Sequence, residues 1–260
     1  MVPIPVKRLR RSDEIVYQSA LPQLLSRTDP CQVHAIAQGL VEKVVHLQHA
    51  ESSNPPCLSL QPAVLRGFTV SATAAGQLQM KLLDGAIADW LEILLHSCHL
   101  IMAMPGISTP PSCSAQRLFA IQHAHARCCS LLRYAGREAW IKPLNPEEDL
   151  CSGIFAEPNQ RCWTPHSLQR LQRSERQLAH QLVELLDLLA ESPQELATHL
   201  FHHLENISAT FQICHQRYQL FNPQSTSSDR QEVFLTLILT TQRVLFYSLR
   251  LLSFVAAFQL

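Results

Sequence analysis

Three histidines on one predicted helix have the spacing that a metal site would use. His199, His202 and His203 lie at positions i, i+3 and i+4, which brings two imidazoles onto one helix face. Glu195 lies one turn earlier, but no cysteine accompanies these side chains. We therefore predict a packing or surface role for the three histidines, and we expect no metal or other cofactor.

The nine cysteines do not follow a zinc or disulfide pattern. None has C-x-x-C spacing, and Cys128 and Cys129 are adjacent within a predicted helix. Adjacent helix positions point to different faces, and no neighbouring group would lower a thiol pKa, so a nucleophilic role is not expected. Free, buried thiols in a reducing compartment are the simplest interpretation, which predicts a cytoplasmic protein.

Arginine dominates the basic residues, because only four of the 21 are lysines. Guanidinium groups bind phosphate and stack on bases, which suits RNA; a bias of genome composition is the alternative. The 21 acidic residues balance the basic ones, so an RNA-binding function needs a local basic surface. Arg170, Arg173 and Arg176 recur every three residues. They predict a basic ridge on one helix face, with an ordinary solvated face as the alternative.

The composition is that of a folded chain without a membrane span. Hydrophobic residues make up 47% and charged residues 16% of the 260 residues, so the chain can bury a substantial core. The most apolar run, residues 244–260, is interrupted by Arg250 and is shorter than the ~20 residues that a span needs. The N-terminus is basic, but no apolar segment follows it, which argues against a secretory signal.

The predicted fold is mainly α, with a helical bundle over residues 113–260 preceded by a small α+β domain over residues 1–103. In the first domain we expect helices over residues 13–28 and from Asp29-Pro30, then strands around a turn at Ala75-Gly76 and a further helix. Residues 104–112 hold three prolines and a glycine, which predicts a linker. Predicted bundle helices include one from Thr164-Pro165 toward Ala190, one from the capping box at Ser192 to Glu195, and a last one with two adjacent apolar stripes.

Residues 122–135, which read QHAHARCCSLLRYA, resemble a known family. They are similar to the segment that opens the DALR-type anticodon-binding domain of arginyl-tRNA synthetases, roughly Q-[YH]-A-[HY]-[AT]-R-x-x-S-[IL]-[LF]-R-x-A. Later segments follow in the family's order, ending with a stretch from Arg230 to Leu252 that resembles R-L-x-L-x-x-A-x-x-x-V-L-x-x-G-L-x-L-L-G. The resemblance covers residues 114–260 and implies the helical anticodon-binding fold, of the class Ia synthetase type, for the bundle.

The first domain resembles, more faintly, the small additional domain that precedes the catalytic domain in these synthetases. Residues 70–82 are similar to one of its elements, with Ala75-Gly76 at the turn. The family's catalytic domain would follow, but neither H-x-G-H nor K-M-S-K-S occurs in this sequence. Without these motifs nothing would position ATP phosphates, so we expect no aminoacylation by this chain.

The resemblance also implies residues that contact RNA. Arg127 and Arg133 match family positions, although a salt bridge or a capping role suits either one equally well. Phe211 keeps the first member of an aromatic F-Y pair, whereas Gln212 replaces the tyrosine and would forfeit about 1–3 kcal/mol of base stacking. The predicted RNA-binding set is Arg127, Arg133, Arg170, Arg173, Arg176 and Phe211.

The expected function is that of a non-catalytic relative of arginyl-tRNA synthetase that binds tRNA or another structured RNA through shape and backbone. The alternative is a protein-interaction or assembly factor that kept the fold and lost RNA binding. The neutral net charge and Gln212 favour this alternative. A third interpretation is that the chain supplies the missing parts of a split synthetase in trans.

Overall fold

The computed structural model describes residues 6–10, 14–26, 30–50, 67–97, 113–138, 162–189, 193–217 and 228–257. The chain divides into two compact units, Met1–Ile87 and Ala88–Leu260. Among the described residues there are eight helices and one small antiparallel sheet, and the strands lie in the first unit. The prediction of a mainly α chain with a small α+β N-terminal part is confirmed.

The first unit contains a four-stranded antiparallel sheet. Its elements are β1 (Val6–Arg10), β2 (Ile15–Ser19), α1 (Leu21–Ser26), α2 (Pro30–Ala50), β3 (Phe68–Ala72) and β4 (Leu78–Leu82), with strand order β1-β2-β4-β3. The predicted hairpin of β3 and β4 is confirmed. At its turn Gly76 has φ +68°, and a Cβ there would lie 2.4 Å from Val33 Cγ1, so this position needs glycine.

The single helix predicted over residues 13–28 is wrong. Residues 15–19 form strand β2, and only Leu21–Ser26 is helical within that range. Strand β2 is hydrogen-bonded to β1 on one side and to β4 on the other, where Val16 pairs with Lys81. Ile15 and Val16 are buried. Pairing with distant strands therefore outweighs the local helical pattern.

The second unit is a helical bundle. Its helices are α3 (Asp84–Ser97, whose first residues belong to the first unit), α4 (Ala115–Arg137), α5 (Pro165–Gln169), α6 (Arg173–Leu189), α7 (Pro193–Arg217) and α8 (Ser228–Leu251). The predicted linker, residues 104–112, lies outside the described residues, so that boundary stays a prediction. The division into compact units falls earlier, within α3.

Helix α8 packs against α4, α6 and α7. Most members of its two predicted apolar stripes are buried, as are the polar residues Thr240, Thr241 and Gln242. The two threonine hydroxyls donate to carbonyls one turn earlier, at 2.9 and 2.7 Å, which satisfies them inside the core. Residues Asp229–Leu251 are long and apolar enough to cross a membrane, but 72% of their most apolar window is buried, as in a soluble core helix.

The long helix predicted from Thr164 toward Ala190 is in fact two helices. Helix α5 ends with Arg170 at its C-cap, and α6 begins at Arg173. The buried Glu175 carboxylate accepts a hydrogen bond from the backbone N–H of Gln172 at 2.7 Å. A carboxylate that reaches back in this way caps a new helix start, so the chain turns between the two helices.

A serine with positive φ closes the C-terminal end of α8. The N–H of Ser253 donates to Arg250 O at 2.9 Å, and the N–H of Phe254 donates to Leu249 O at 2.8 Å. This is the hydrogen-bond pattern of a Schellman motif, in which glycine is the usual residue with positive φ. Ser253 has φ 62°, a conformation that costs a residue with a Cβ roughly 1–2 kcal/mol.

Replacing Ser253 with glycine is therefore expected to raise the free energy of unfolding by about 1 kcal/mol. Ser253 is exposed, so the substitution removes no packing. Urea denaturation followed by circular dichroism measures the change. Ser130→Gly, at an exposed position inside α4, is the matched control and is expected to lower stability by about 0.5 kcal/mol. A decrease for both variants would contradict the strain assigned to Ser253.

Candidate functional site

Helix α4 separates a buried face from an exposed one. The Ser114 side chain caps its start by accepting a hydrogen bond from the N–H of Arg117 at 3.3 Å. The buried face, which packs against α7 and α8, includes Ile121, Ala124, His125, Cys128, Leu132 and Ala135. Ala126, Cys129 and Leu131 are buried as well, whereas three of the helix's four arginines, Arg117, Arg127 and Arg137, are exposed.

An open groove of about 320 Å³ lies along the C-terminal half of α4. Its lining residues are Arg127, Ser130, Leu131, Arg133, Tyr134 and Arg137, and we call it the arginine groove. None of these lining residues is acidic. Three guanidinium groups within three turns of one helix therefore concentrate positive charge locally, although the whole chain is neutral.

Contacts within the bundle hold two of these arginines. Arg133 Nε donates to the carbonyl of Cys129 at 3.3 Å, and its Nη2 lies 3.5 Å from Ser130 Oγ. Arg127 Nε donates to Nε2 of His215, on α7, at 3.0 Å. Side chains restrained in this way lose less conformational entropy when they close on a ligand.

His215 is the hydrogen-bond acceptor for Arg127, which requires a neutral imidazole. Burial lowers the pKa of His215 below its usual value, and the neighbouring Arg127 charge lowers this pKa further. Since Nε2 accepts the hydrogen bond, the ring proton is on Nδ1. The ring also stacks on Phe211, with the two planes 11° apart. The bundle core thus positions the group that orients Arg127.

Helices α4 and α7 run parallel along an exposed seam. Along this seam, the line of contact between the two helices, three pairs of side chains are hydrogen-bonded at regular intervals. The pairs are Arg117 with Glu205, His123 with Gln212, and Arg127 with His215. Each residue on α7 follows its partner on α4 by 88 or 89 positions, so both helices advance in the same direction. Between the first two pairs lies an open cleft of about 540 Å³, which we call the seam cleft.

The predicted arginine ridge does not form on a single helix face. Arg170 follows α5, where its guanidinium lies 2.8 Å from Asp229 Oδ2 and 2.9 Å from His166 Nε2. Arg176 Nη2 donates to the carbonyl of Leu168 at 3.0 Å. Arg173 is exposed at the start of α6. The break between α5 and α6 separates Arg170 from Arg173 and Arg176. Arg176 links α6 to α5, and Arg170 links the end of α5 to the start of α8.

Phe211 belongs to the core of the bundle. Its side chain is 0% exposed, so a base has no access to the ring, and the predicted contact with RNA is corrected to a packing role. The adjacent Gln212 lies on the seam, where its amide nitrogen is 3.1 Å from His123 Nδ1. Of the six predicted RNA-binding residues, the structure brings Arg127 and Arg133 together in the arginine groove.

The other candidate side chains have packing or surface roles. Burial raises the pKa of Cys128 well above its usual value and that of Cys129 to about 11, which keeps both thiols protonated. The buried His203 is hydrogen-bonded to the carbonyl of Gln181 at 2.7 Å, and His202 is exposed. Across the described ranges, no group of three or more histidine, cysteine or acidic residues is placed to hold a metal ion.

Sequence reasoning missed Tyr134 and Arg137. They lie seven and ten residues after Arg127, a helical spacing that puts all three side chains on one face of α4. Following the exposed positions of α4 at this spacing would have identified them.

No protein-family model matches the chain, and no curated protein matches it in a sequence comparison.

Proposed function

We propose that this protein is a non-catalytic RNA-binding protein, related to the anticodon-binding part of arginyl-tRNA synthetases, that holds tRNA or another structured RNA by its phosphate backbone. The observation that carries the proposal is the arginine groove, which is lined by three arginines and has no acidic residue among its described lining residues. Guanidinium forks match the geometry of phosphate oxygens. Structured RNA is recognised largely through shape and backbone, which such a groove suits.

Two local features support the relationship to the synthetase domain. Arg127 and Arg133, the arginines that match the family's opening pattern, both line the arginine groove. Ser253 follows Leu251-Leu252, where the family's closing pattern L-L-G places a glycine, and it has the positive φ that glycine adopts most readily. Neither H-x-G-H nor K-M-S-K-S occurs in the sequence, so we propose RNA binding without activation of arginine.

Titration of fluorescently labelled tRNA with the full chain tests the proposal. At low salt we expect a dissociation constant below about 10 µM. Many non-specific protein–nucleic acid complexes already have dissociation constants below this value. The variant Lys7→Ala/Lys43→Ala/Arg250→Ala removes three exposed cations that do not line the groove, and it is expected to bind nearly as well as the wild type. No saturable binding by the wild type up to that limit would exclude the proposed function.

A further inference from the structure

The seam cleft has an apolar floor that is open to solvent. Phe119, Ala120 and Ala209 contribute to its lining, with His123 and Gln212 at one end. Phe119 is 53% exposed, a large fraction for a phenylalanine, and both alanines are exposed as well. Small side chains beside a protruding aromatic ring leave room for an apolar side chain from outside.

Charge is distributed unequally along the seam. At one end Arg117 and Glu205 form an ion pair, and the hydrogen bond from Arg117 lowers the pKa of Glu205, so the carboxylate stays ionised and the two charges balance. Beyond the opposite end the seam continues to Arg127 and into the arginine groove, and none of the described residues that line this groove is acidic. A complementary ligand is therefore apolar over the cleft and negatively charged beyond it.

We propose that the seam cleft is a docking site for an amphipathic helix of a partner protein, which inserts one large apolar side chain and directs carboxylates toward Arg127. A hydrophobic groove between two helices is a common binding site for an amphipathic helix. Phe119 and Arg127 are eight residues apart, about 12 Å along the axis of α4. The partner helix thus carries its acidic residues about two turns from its apolar anchor.

A protein helix fits this cleft better than an RNA backbone does. The guanidinium among its lining residues, that of Arg117, is already paired with Glu205, so the cleft itself offers little to a phosphate. Burial of Phe119 and of an apolar anchor is favourable because it removes apolar surface from water. This inference goes beyond the proposed RNA binding and does not depend on it.

Selection of a displayed library of random peptides of about 18 residues, roughly five helical turns, against the full chain tests the proposal. We expect enriched peptides to carry a large apolar residue and, seven or eight positions away, aspartate or glutamate. Such a peptide should lose at least tenfold in affinity for Ala209→Trp, which fills the cleft, and for Arg127→Glu. Phe119→Ser removes the aromatic ring from the cleft floor without filling the cleft, and it should also weaken peptide binding. Ile93→Ser makes the same kind of change at an exposed apolar position on α3 and should leave peptide affinity unchanged.

Three results would overturn the docking site. They are the absence of enriched peptides, enrichment of peptides without acidic residues, and unchanged peptide affinity of Ala209→Trp and Phe119→Ser when circular dichroism shows both to be folded. The same variants are also titrated with labelled tRNA. If Ala209→Trp lowers tRNA affinity tenfold, the cleft is assigned to RNA and the proposal fails. Failure of the wild type to bind tRNA affects only the proposed function.

Discussion

Replacing Arg127, Arg133 and Arg137 together with alanine is expected to weaken tRNA binding at least tenfold. Each guanidinium that contacts a phosphate forms a charge-assisted hydrogen bond and releases counterions from the RNA. The loss of three arginines therefore removes both of these contributions to the binding free energy. Arg127 and Arg137 are exposed and Arg133 is half-buried, so the urea midpoint is expected to change little. Fluorescence anisotropy at constant salt measures the affinity.

The matched control removes the three arginines of the predicted ridge, Arg170, Arg173 and Arg176. This variant is expected to have a lower free energy of unfolding than the wild type. Under conditions in which it is still folded, its RNA affinity is expected to equal that of the wild type. Arg176 donates to the Leu168 carbonyl and so links α6 to α5, whereas Arg170 pairs with Asp229 and links the end of α5 to the start of α8. Each contact is worth up to roughly 1 kcal/mol. If the ridge variant lost RNA affinity and the groove variant kept it, the assignment of the RNA surface to α4 would be wrong.

Replacing Trp163 with alanine is expected to lower the free energy of unfolding by about 3–5 kcal/mol, because the indole is 0% exposed and leaves a large cavity. The indole N–H also donates to Thr240 Oγ1 at 3.2 Å, inside helix α8. The backbone N–H of Trp163 donates to Glu92 Oε2 at 2.8 Å, and that of Cys162 donates to the other oxygen of the same carboxylate at 3.3 Å. Trp163 thus fixes the start of α5 between α3 and α8.

Two further variants separate volume from hydrogen bonding at this position. Trp163→Phe keeps much of the ring volume but leaves Thr240 without its indole donor, and it is expected to cost about 1–3 kcal/mol. Ile93→Ala, at a half-exposed position on α3, is expected to cost less than about 1 kcal/mol. Urea denaturation followed by circular dichroism gives all three values. A cost for Trp163→Ala no larger than that for Ile93→Ala would contradict its role in the core.

The parts of the fold that sequence reasoning predicted correctly depend on local chemistry. The β3–β4 hairpin follows from alternation around Gly76, and the start of α5 follows from the capping residue Thr164. Strand β2 was missed because its hydrogen-bond partners, β1 and β4, are set by tertiary pairing. The break before α6 has a local cause, Glu175 three residues after Gln172, and it was missed because the apolar pattern continues across it.

The candidate site was predictable only in part. Arg127 and Arg133 were identified from the resemblance, but the groove also needs Tyr134, Arg137 and the support of His215, which is 88 residues from Arg127 and has no sequence signal linking it to that arginine. Phe211 was assigned to RNA from the resemblance alone. Its spacing from Leu200, Leu204 and Ile207, also buried residues of α7, already indicated a core position.

The salt dependence of tRNA binding tests the central claim most directly. The logarithm of the association constant is measured against the logarithm of salt concentration for the wild type and for the Arg127→Ala/Arg133→Ala/Arg137→Ala variant. If these arginines contact phosphates, the wild-type slope is steep and each arginine removed reduces it by about one, so the variant's slope is shallower by up to about three. Parallel lines, with or without a change in affinity, would contradict the claim that the arginine groove binds the RNA backbone.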